Sequence, residues 1–425
     1  MTKFIAETYQ NEFLPVDGAE VNAIVTVTSL GGAVAAEPVA AAEVIIIDTS
    51  GSMSMPGAKL RAAQRATAAA IDSTRDDVLF AVVAGTERAR LIYPDAFGLA
   101  PASEATRAEA KEALGGLTAN GGTAIGSWLE LANELFNDAP DAIRHAILLT
   151  DGRNQHETPE QLEKVLETCG GRFQCDCRGI GTDWEVSELR RVASALLGSV
   201  DIIAEPSEME GDFRSMMEQA MGKATADVSL RLWTPQGAEV AFVKQVAPTI
   251  EDLTARATRV DAQSGDYPTG AWGEESRDYH LCIRVQPREI GDEMLAGRIG
   301  LVVDGQAVSQ ALIKAVWTDD EQLSTRINRE VAHYSGQAEL AELIQEGLEA
   351  RKAGDEGTAG LKLGRAVQLA GESGNDATMR LLEGVVEVED VATGTVRLRQ
   401  DVDDADEMAL DTRSTKTARV LDPKK

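Results

Sequence analysis

The chain has 425 residues, of which 43% are hydrophobic, and it carries a formal net charge of −29 at pH 7 with a pI near 4.5. That length accommodates two or three domains with a sizeable core, and that hydrophobic content excludes wholesale disorder. So acidic a surface repels polyphosphates, which sets aside nucleic acid and anionic membrane as partners.

The N-terminus, Met1 to Glu7, has no apolar h-region, and no later stretch approaches the ~18 apolar residues that a membrane span needs. Four cysteines (Cys169, Cys175, Cys177, Cys282) are too few and too unevenly placed for a disulfide framework. The expectation is a cytoplasmic protein with reduced thiols.

In chain order, residues 1–42 supply β-structure. Glu20 to Thr28 is a half-buried strand dominated by strand formers, and Gly31 to Ala42 reads as a small-residue linker. From residue 43 to 222 strands and helices alternate. Val44-Ile45-Ile46-Ile47 is a strand buried on both faces, as in the centre of a parallel sheet. Lys59 to Thr74 is Ala-rich helix, Val78 to Ala84 strand, and Arg107 to Leu114 helix. A helix through Trp128, Leu131, Ala132 and Leu135 follows the loop Thr118 to Thr123. Ala146 to Thr150 is a second apolar strand. Pro159–Thr168 and Glu185–Leu196 are helical, Phe173–Ile180 and Val200–Ala204 are strands, and Met209–Met221 closes the unit. This alternation predicts an α/β fold with a doubly wound, mostly parallel sheet.

Residues 223–322 return to short alternating strands. These include Val228/Leu230/Leu232, Val240–Val246, Tyr279/Leu281/Ile283/Val285, Ile299–Val303 and Val308–Trp317, and they predict a β-sandwich. The N-terminal strand is expected to join it, making the α/β unit an insertion. Residues 323–392 are helical, with amphipathic segments Ala338–Lys352, Gly357–Ala370 and Asp376–Val388 that resemble one tetratricopeptide-like unit. One such unit cannot bury its own face, so it should dock on the sandwich or on a partner. Residues 393–425 read as a charged, flexible tail.

The chemistry sits at strand ends. Asp48, Ser50 and Ser52 follow the first apolar strand at every second position, Thr123 ends Gly121-Gly122-Thr123, and Asp151 follows Leu149-Thr150. Ligands of open α/β sheets bind beyond the carboxyl ends of the strands. Three hydroxyls and two carboxylates, with no nitrogen or sulfur donor, select Mg²⁺, Mn²⁺ or Ca²⁺ over zinc. Short loops favour a compact octahedral ion, so Mg²⁺ is the first choice and Mn²⁺ the second. Taken alone, Asp48-x-Ser50-x-Ser52 is equally compatible with a strand-end turn whose hydroxyls cap a helix.

With all five residues in place, the region resembles a von Willebrand factor A domain with a complete metal-ion-dependent adhesion site. The resemblance implies that Ser50 and Ser52 bind the ion directly. It implies that Thr123 or Asp151 binds directly or through water, depending on conformation, and that Asp48 orients waters and hydroxyls. The rest of the chain, including Asp278-Tyr279-His280 and Ala332 to Leu340, is similar to actinobacterial-type intracellular A-domain proteins. That similarity implies a Ser/Thr kinase or phosphothreonine-reading partner.

Hydroxyl-dominated ligation leaves much of the ion's charge for a partner's Asp or Glu to complete. The expected function is therefore a non-enzymatic, Mg²⁺-dependent protein-binding scaffold. The alternative is a metal-dependent phosphohydrolase or an ATPase-associated subunit. The sequence shows no second metal cluster, basic phosphate clamp or nucleotide loop for it. A surface adhesin is disfavoured by the cysteine usage and the N-terminus. Lys59, Arg61 and Arg153 are expected to make the site's rim less acidic.

Other constellations carry less. Cys169, Cys175 and Cys177 do not match zinc spacings and read as buried thiols. Asp401 to Asp411 has Ala405 at a ligand position and Asp406 where a calcium loop needs Gly. His145, His156, His280 and His333 are scattered and read as structural or exposed. The tail hydroxyls Thr412, Ser414, Thr415 and Thr417, beside Arg413 and Lys416, read first as a polar tail. Their sharper reading is as kinase substrates.

Overall fold

The computed structural model describes residues 3–30, 40–54, 57–417 and 419. The chain forms two compact units, Ala35–Ala226 on the one hand and Met1–Val34 together with Asp227–Lys425 on the other. The α/β unit is thus an insertion in the path of the second.

Before the insertion come β1 (Lys3–Gln10), β2 (Phe13–Leu14) and β3 (Glu20–Leu30). The linker expected at residues 31–42 falls mostly outside the described residues.

The inserted unit begins with β4 (Ala41–Asp48), every residue of which is buried. It continues through α1 (Ala58–Ser73), β5 (Leu79–Gly85), β6 (Ala89–Tyr93), β7 (Ala100–Pro101), α2 (Glu104–Leu114) and α3 (Ile125–Leu135). Then follow β8 (Ile143–Thr150), α4 (Pro159–Cys169), β9 (Gln174–Ile180), α5 (Val186–Ala195), β10 (Val200–Ile203) and α6 (Met209–Met221). Local chemistry sets the helix starts: Ser103–Thr106 and Thr158–Gln161 form reciprocal capping boxes at α2 and α4.

The sheet order is β10-β9-β8-β4-β5-β6. Its pairings are parallel except for the edge strands β6 and β7, which run antiparallel to β5. The chain proceeds from β4 towards one edge and resumes at β8 towards the other, so the topological switch lies between β4 and β8.

Two glycines mark where aromatic rings close on this sheet. A Cβ on Gly85 would lie 2.3 Å from Trp128, and one on Gly179 would lie 1.8 Å from Trp184. Trp184 is buried and cannot retreat, so Gly179→Ala is expected to cost about 1–3 kcal/mol, measured by urea denaturation.

After the insertion come β11 (Thr225–Trp233), β12 (Glu239–Ala247), β13 (Glu251–Asp252), β14 (Thr258–Arg259) and β15 (Ser264–Trp272). They are followed by β16 (Ser276–Arg284), β17 (Glu293–Val303), β18 (Gln306–Ala307) and β19 (Ala311–Trp317). One sheet is ordered β1-β3-β16-β12-β13 and the other β14-β15-β11-β17-β19-β2, with β18 on β17. Alternation places Val228, Leu230 and Leu232 of β11 and Tyr279, Leu281 and Ile283 of β16 in the core.

The C-terminal part contains α7 (Glu321–Ser324), α8 (Arg329–Lys352), α9 (Glu356–Ser373) and α10 (Asp376–Val385), then the hairpin β20 (Val386–Asp390) and β21 (Thr395–Leu398), then α11 (Asp404–Arg413). The expected helix Asp376–Val388 ends three residues early, because Val386 turns extended and pairs with Leu398. Leu340, Ile344 and Leu348 of α8 share a core with Leu363 and Val367 of α9, Leu382 of α10 and Leu410 of α11. Tyr334 at the start of α8 packs with Ile24, Val246 and Ala247, so this helix docks on the sandwich.

The flexible tail expected over residues 393–425 is corrected for its described part. Residues 395–398 are strand, 404–413 are helix, and Leu410 is fully buried. Beyond α11, Thr415 accepts the Ile250 N–H at 2.8 Å and Thr417 donates its N–H to Pro248 at 2.9 Å. Arg419 makes a two-pronged ion pair with the buried Asp278, at 2.7 and 2.9 Å. The hydroxyls of Thr412, Ser414 and Thr417 all donate to backbone carbonyls, so the residues read as kinase substrates are built into the fold.

Candidate metal centre

Asp48 ends β4, and the other four expected site residues lie on loops at the same end of the sheet. β4 and β8 are neighbours in register, with Ile47 opposite Leu149, so Asp48 emerges beside Thr150 and Asp151. Asp48 is fully buried. Its Oδ1 accepts the Ser50 N–H at 2.7 Å, and its Oδ2 accepts the Thr150 hydroxyl at 2.5 Å. Burial pushes the Asp48 carboxyl up to about 6, against the hydrogen bonds from Ser50 and Thr150, which favour the charge.

Above Asp48 the hydroxyls and the second carboxylate form a chain. Ser50 Oγ and Ser52 Oγ are 2.9 Å apart, and Ser52 Oγ donates to Asp151 Oδ1 at 2.6 Å. Thr123 stands across Gly152 from Ser52. A Cβ on Gly152 would stand 3.2 Å from Ser52 Oγ and 3.4 Å from Thr123 Oγ1, so the bare glycine keeps the cradle open between these two hydroxyls.

The three loops are tied directly to one another. Gly51 donates its N–H to Gly121 at 3.0 Å, and Asn120 donates to Thr49 at 2.8 Å, joining the Asp48 and Thr123 loops. Asn154 Oδ1 accepts the Ile125 N–H at 2.9 Å, and Glu157 Oε1 accepts the Gly126 N–H at 2.7 Å. The loop carrying Asp151 therefore caps the helix that carries Thr123 at its entrance. Gly121 adopts a left-handed φ of 76°, and beside it Glu87 accepts the Gly122 N–H at 2.7 Å. That backbone N–H holds the Glu87 carboxyl below its ordinary range.

Four contributors escaped sequence reasoning. Thr150 and Glu87 are polar residues without a local motif. His156, whose Nδ1 accepts the Thr123 N–H at 3.2 Å, reads from the sequence only as structural or exposed. Lys59 was read as a rim cation, but its Nζ lies 2.9 Å from Asp151 Oδ2 and its side chain is only 11% exposed. Arg153, in contrast, is a rim residue paired with Glu185.

The donor set fits a hard divalent ion. Three hydroxyls and two carboxylates converge on one cradle, with Asp48 at its floor. Elsewhere, no group of three or more His, Cys, Asp or Glu side chains stands close enough to hold a metal among the described residues. Cys175 Sγ and Cys177 Sγ lie 4.0 Å apart, both buried, and all four cysteines are free thiols. The hydrogen bond with Cys177 and burial push the Cys175 thiol well above its ordinary range, so this cluster is inert packing.

Comparison with known proteins agrees with this architecture. Residues 42–202 match the family model for the von Willebrand factor type A domain, and residues 368–414 match that for the von Willebrand factor type A C-terminal domain. The structure of a von Willebrand factor type A protein from Catenulispora acidiphila is 51% identical and superposes with a TM-score of 0.95, covering 99% of this chain and 98% of that one. The ArnB paralog VWA2 from Sulfolobus acidocaldarius shares the fold, with a TM-score of 0.61 at 14% identity over 98% of both chains. An uncharacterized protein of Synechocystis sp. is 29% identical over 218 residues, so the chain spans about half the length of this curated relative (50% of each). Domains of this type are generally metal-dependent protein-interaction modules that bind a divalent ion at such strand-end loops. With family models matching residues 42–202 and 368–414, and a relative at 51% identity over 99% of this chain, the chain belongs to the von Willebrand factor type A family.

Proposed function

We propose that the protein is a non-catalytic, Mg²⁺-dependent protein-binding scaffold whose partner supplies an Asp or Glu carboxylate to the ion. The observation that carries this reading is the cradle itself, in which Ser50, Ser52 and Thr123 hydroxyls outnumber the carboxylates of Asp48 and Asp151. These five residues would hold the ion, and the ion would supply a Lewis-acidic site for an incoming oxygen anion. Neutral ligands leave its charge largely intact, so an external carboxylate binds with a charge-assisted bond. Short, mutually bonded loops suit the small octahedral Mg²⁺, with Mn²⁺ as the substitute and Ca²⁺ less favoured.

Four buried free cysteines support a reducing, cytoplasmic location. No helix of the described residues is long and apolar enough to cross a membrane. The family resemblance further associates such scaffolds with Ser/Thr kinases and phosphothreonine readers.

Titration calorimetry with Mg²⁺, Mn²⁺ and Ca²⁺ tests the metal. Ser50→Ala is expected to weaken binding at least about tenfold, since one inner ligand is lost. Affinity capture from the native cell tests the partner, which should be lost with EDTA and with Asp48→Ala. Capture indifferent to both would refute the scaffold reading, and turnover of a generic phosphoester would refute the non-catalytic one.

A further inference from the structure

Lys59 is the unexpected member of the site. It lies one residue into α1, directly after the Asp48 loop, and its ammonium makes a 2.9 Å ion pair with Asp151, which is fully buried. Its second partner is Asp183 at 3.5 Å, whose side chain is 74% exposed. The loop after β9 passes close to the lysine. A Cβ on Gly181 would come within 3.9 Å of both Lys59 Cε and Nζ, and Gly181 sits at a left-handed φ of 64°. An ammonium so enclosed is part of the site, unlike a surface lysine free to swing into solvent.

We propose that Lys59 sets the charge of the loaded site, weakening its hold on the divalent ion and strengthening its hold on an incoming carboxylate. This inference rests on the metal-dependent reading above and concerns the same centre. Asp48 and Asp151 together offset a divalent ion. The fixed ammonium then adds positive charge beside the centre, offset only in part by the solvent-exposed Asp183 carboxylate at 3.5 Å, and an external carboxylate meets that charge. Without Lys59 the loaded site would lose that attraction and would hold a carboxylate by coordination alone. The same residue answers how an acidic ligand approaches a protein of net charge −29: the attraction is local, within a Debye length of the loops. The cost falls on the ion. Asp151 is partly satisfied before metal arrives, and two like-signed charges must then share it. A unit charge about 6 Å from a divalent ion changes its affinity about tenfold even at bulk dielectric, and more in the partly enclosed cradle.

The test compares wild type, Lys59→Met and the charge-keeping Lys59→Arg as full-length protein. Mn²⁺ affinity is measured by titration calorimetry. Acetate binding to the Mn²⁺-loaded protein is measured by the fall in water-proton relaxation as bound water is displaced. Lys59→Met is expected to bind Mn²⁺ at least about tenfold tighter and acetate several-fold more weakly, with Lys59→Arg close to wild type in both. Mn²⁺ affinity that is unchanged or weaker in Lys59→Met overturns the inference, because the lysine then merely orients Asp151. Tighter Mn²⁺ with unaltered acetate overturns it too. A wild-type protein that binds no Mn²⁺ overturns the metal reading itself. A wild type that binds while Lys59→Met binds no tighter overturns only the role of Lys59.

Discussion

His145→Ala is expected to destabilise the protein by about 3–5 kcal/mol, the cost of leaving buried charges without their partner. His145 lies between two carboxylates near the start of the parallel strands, at the opposite ends from the candidate metal centre. Its Nδ1 is 2.9 Å from Glu43 Oε1, and its Nε2 is 2.9 Å from Asp176 Oδ2. Glu43 is fully buried, and Asp176 Oδ1 also accepts the Ser199 N–H at 2.7 Å and its hydroxyl at 2.6 Å. Burial alone would lower the imidazole, but the two flanking carboxylates outweigh it and push His145 up to about 10. Burial likewise works against the Asp176 charge, yet His145 and Arg178 hold that carboxyl well below its ordinary range. The linkage sign follows from the raised histidine. Its contribution is complete below the ordinary value of 6.5 and is lost as pH rises through about 10. Urea melts at pH 7 and pH 10.5 should therefore converge for wild type and His145→Ala at the higher pH. Adding Glu43→Gln to His145→Ala should recover part of the loss. A cost below about 1 kcal/mol at pH 7 would show that the charged trio contributes nothing net.

Asp48→Asn is expected to separate stability from ion binding. In the absence of metal the change should shift stability by less than about 1 kcal/mol in either direction, because the carboxylate it replaces is buried and costly to ionise. The amide oxygen keeps the Ser50 N–H bond, and the amide NH₂ faces a Thr150 hydroxyl that can rotate to accept it. The response to metal should vanish. At a hundredfold excess over the dissociation constant, an ion that binds only the folded state adds about 2.7 kcal/mol, and the variant should gain none of it. Thermal melts in EDTA and in Mn²⁺ read both effects. An Asp48→Asn protein that still gains the full Mn²⁺ increment would falsify the assignment of Asp48 to the centre.

The parts of this fold that sequence revealed are those with a local physical signature. The run Val44 to Ile47 stops at a carboxylate followed by hydroxyls at alternate positions, and that transition is the end of a buried strand at the mouth of a parallel sheet. Thr123 and Asp151 follow the same logic on neighbouring loops. The contributors that escaped are those assembled across strands. Glu43 and His145 are 102 residues apart and meet only because β4 and β8 are in register. Thr150 looks like the last residue of an apolar strand, and its bond to Asp48 is visible only across the sheet. The C-terminal region misled by composition. Asp401 to Glu407 reads as an acidic tail, whereas Leu410 inserts into the core formed by α8, α9 and α10. Val386 to Val388 reads as the end of a helix because its valines also continue an amphipathic period, although alternation across a hairpin explains them better.

The interrupted path of the sandwich has a consequence for how the chain is made. β3 waits for its neighbour β16: Thr26 finds Asp278 only 252 residues later. At ordinary translation speeds that interval is roughly 10–50 s, long compared with the folding of most small domains. During it, the β1–β3 ribbon has paired only one of β3's two edges, while the inserted α/β unit, compact in its own right over residues 35–226, can fold on the ribosome. The candidate metal centre thus has all five of its residues on the nascent chain before the sandwich exists. A stalled ribosome carrying residues through about 230, outside the exit tunnel, should already present an ion-responsive domain beside an open strand edge. The open edge makes the late arrival of β16 the step most exposed to mispairing between neighbouring nascent chains.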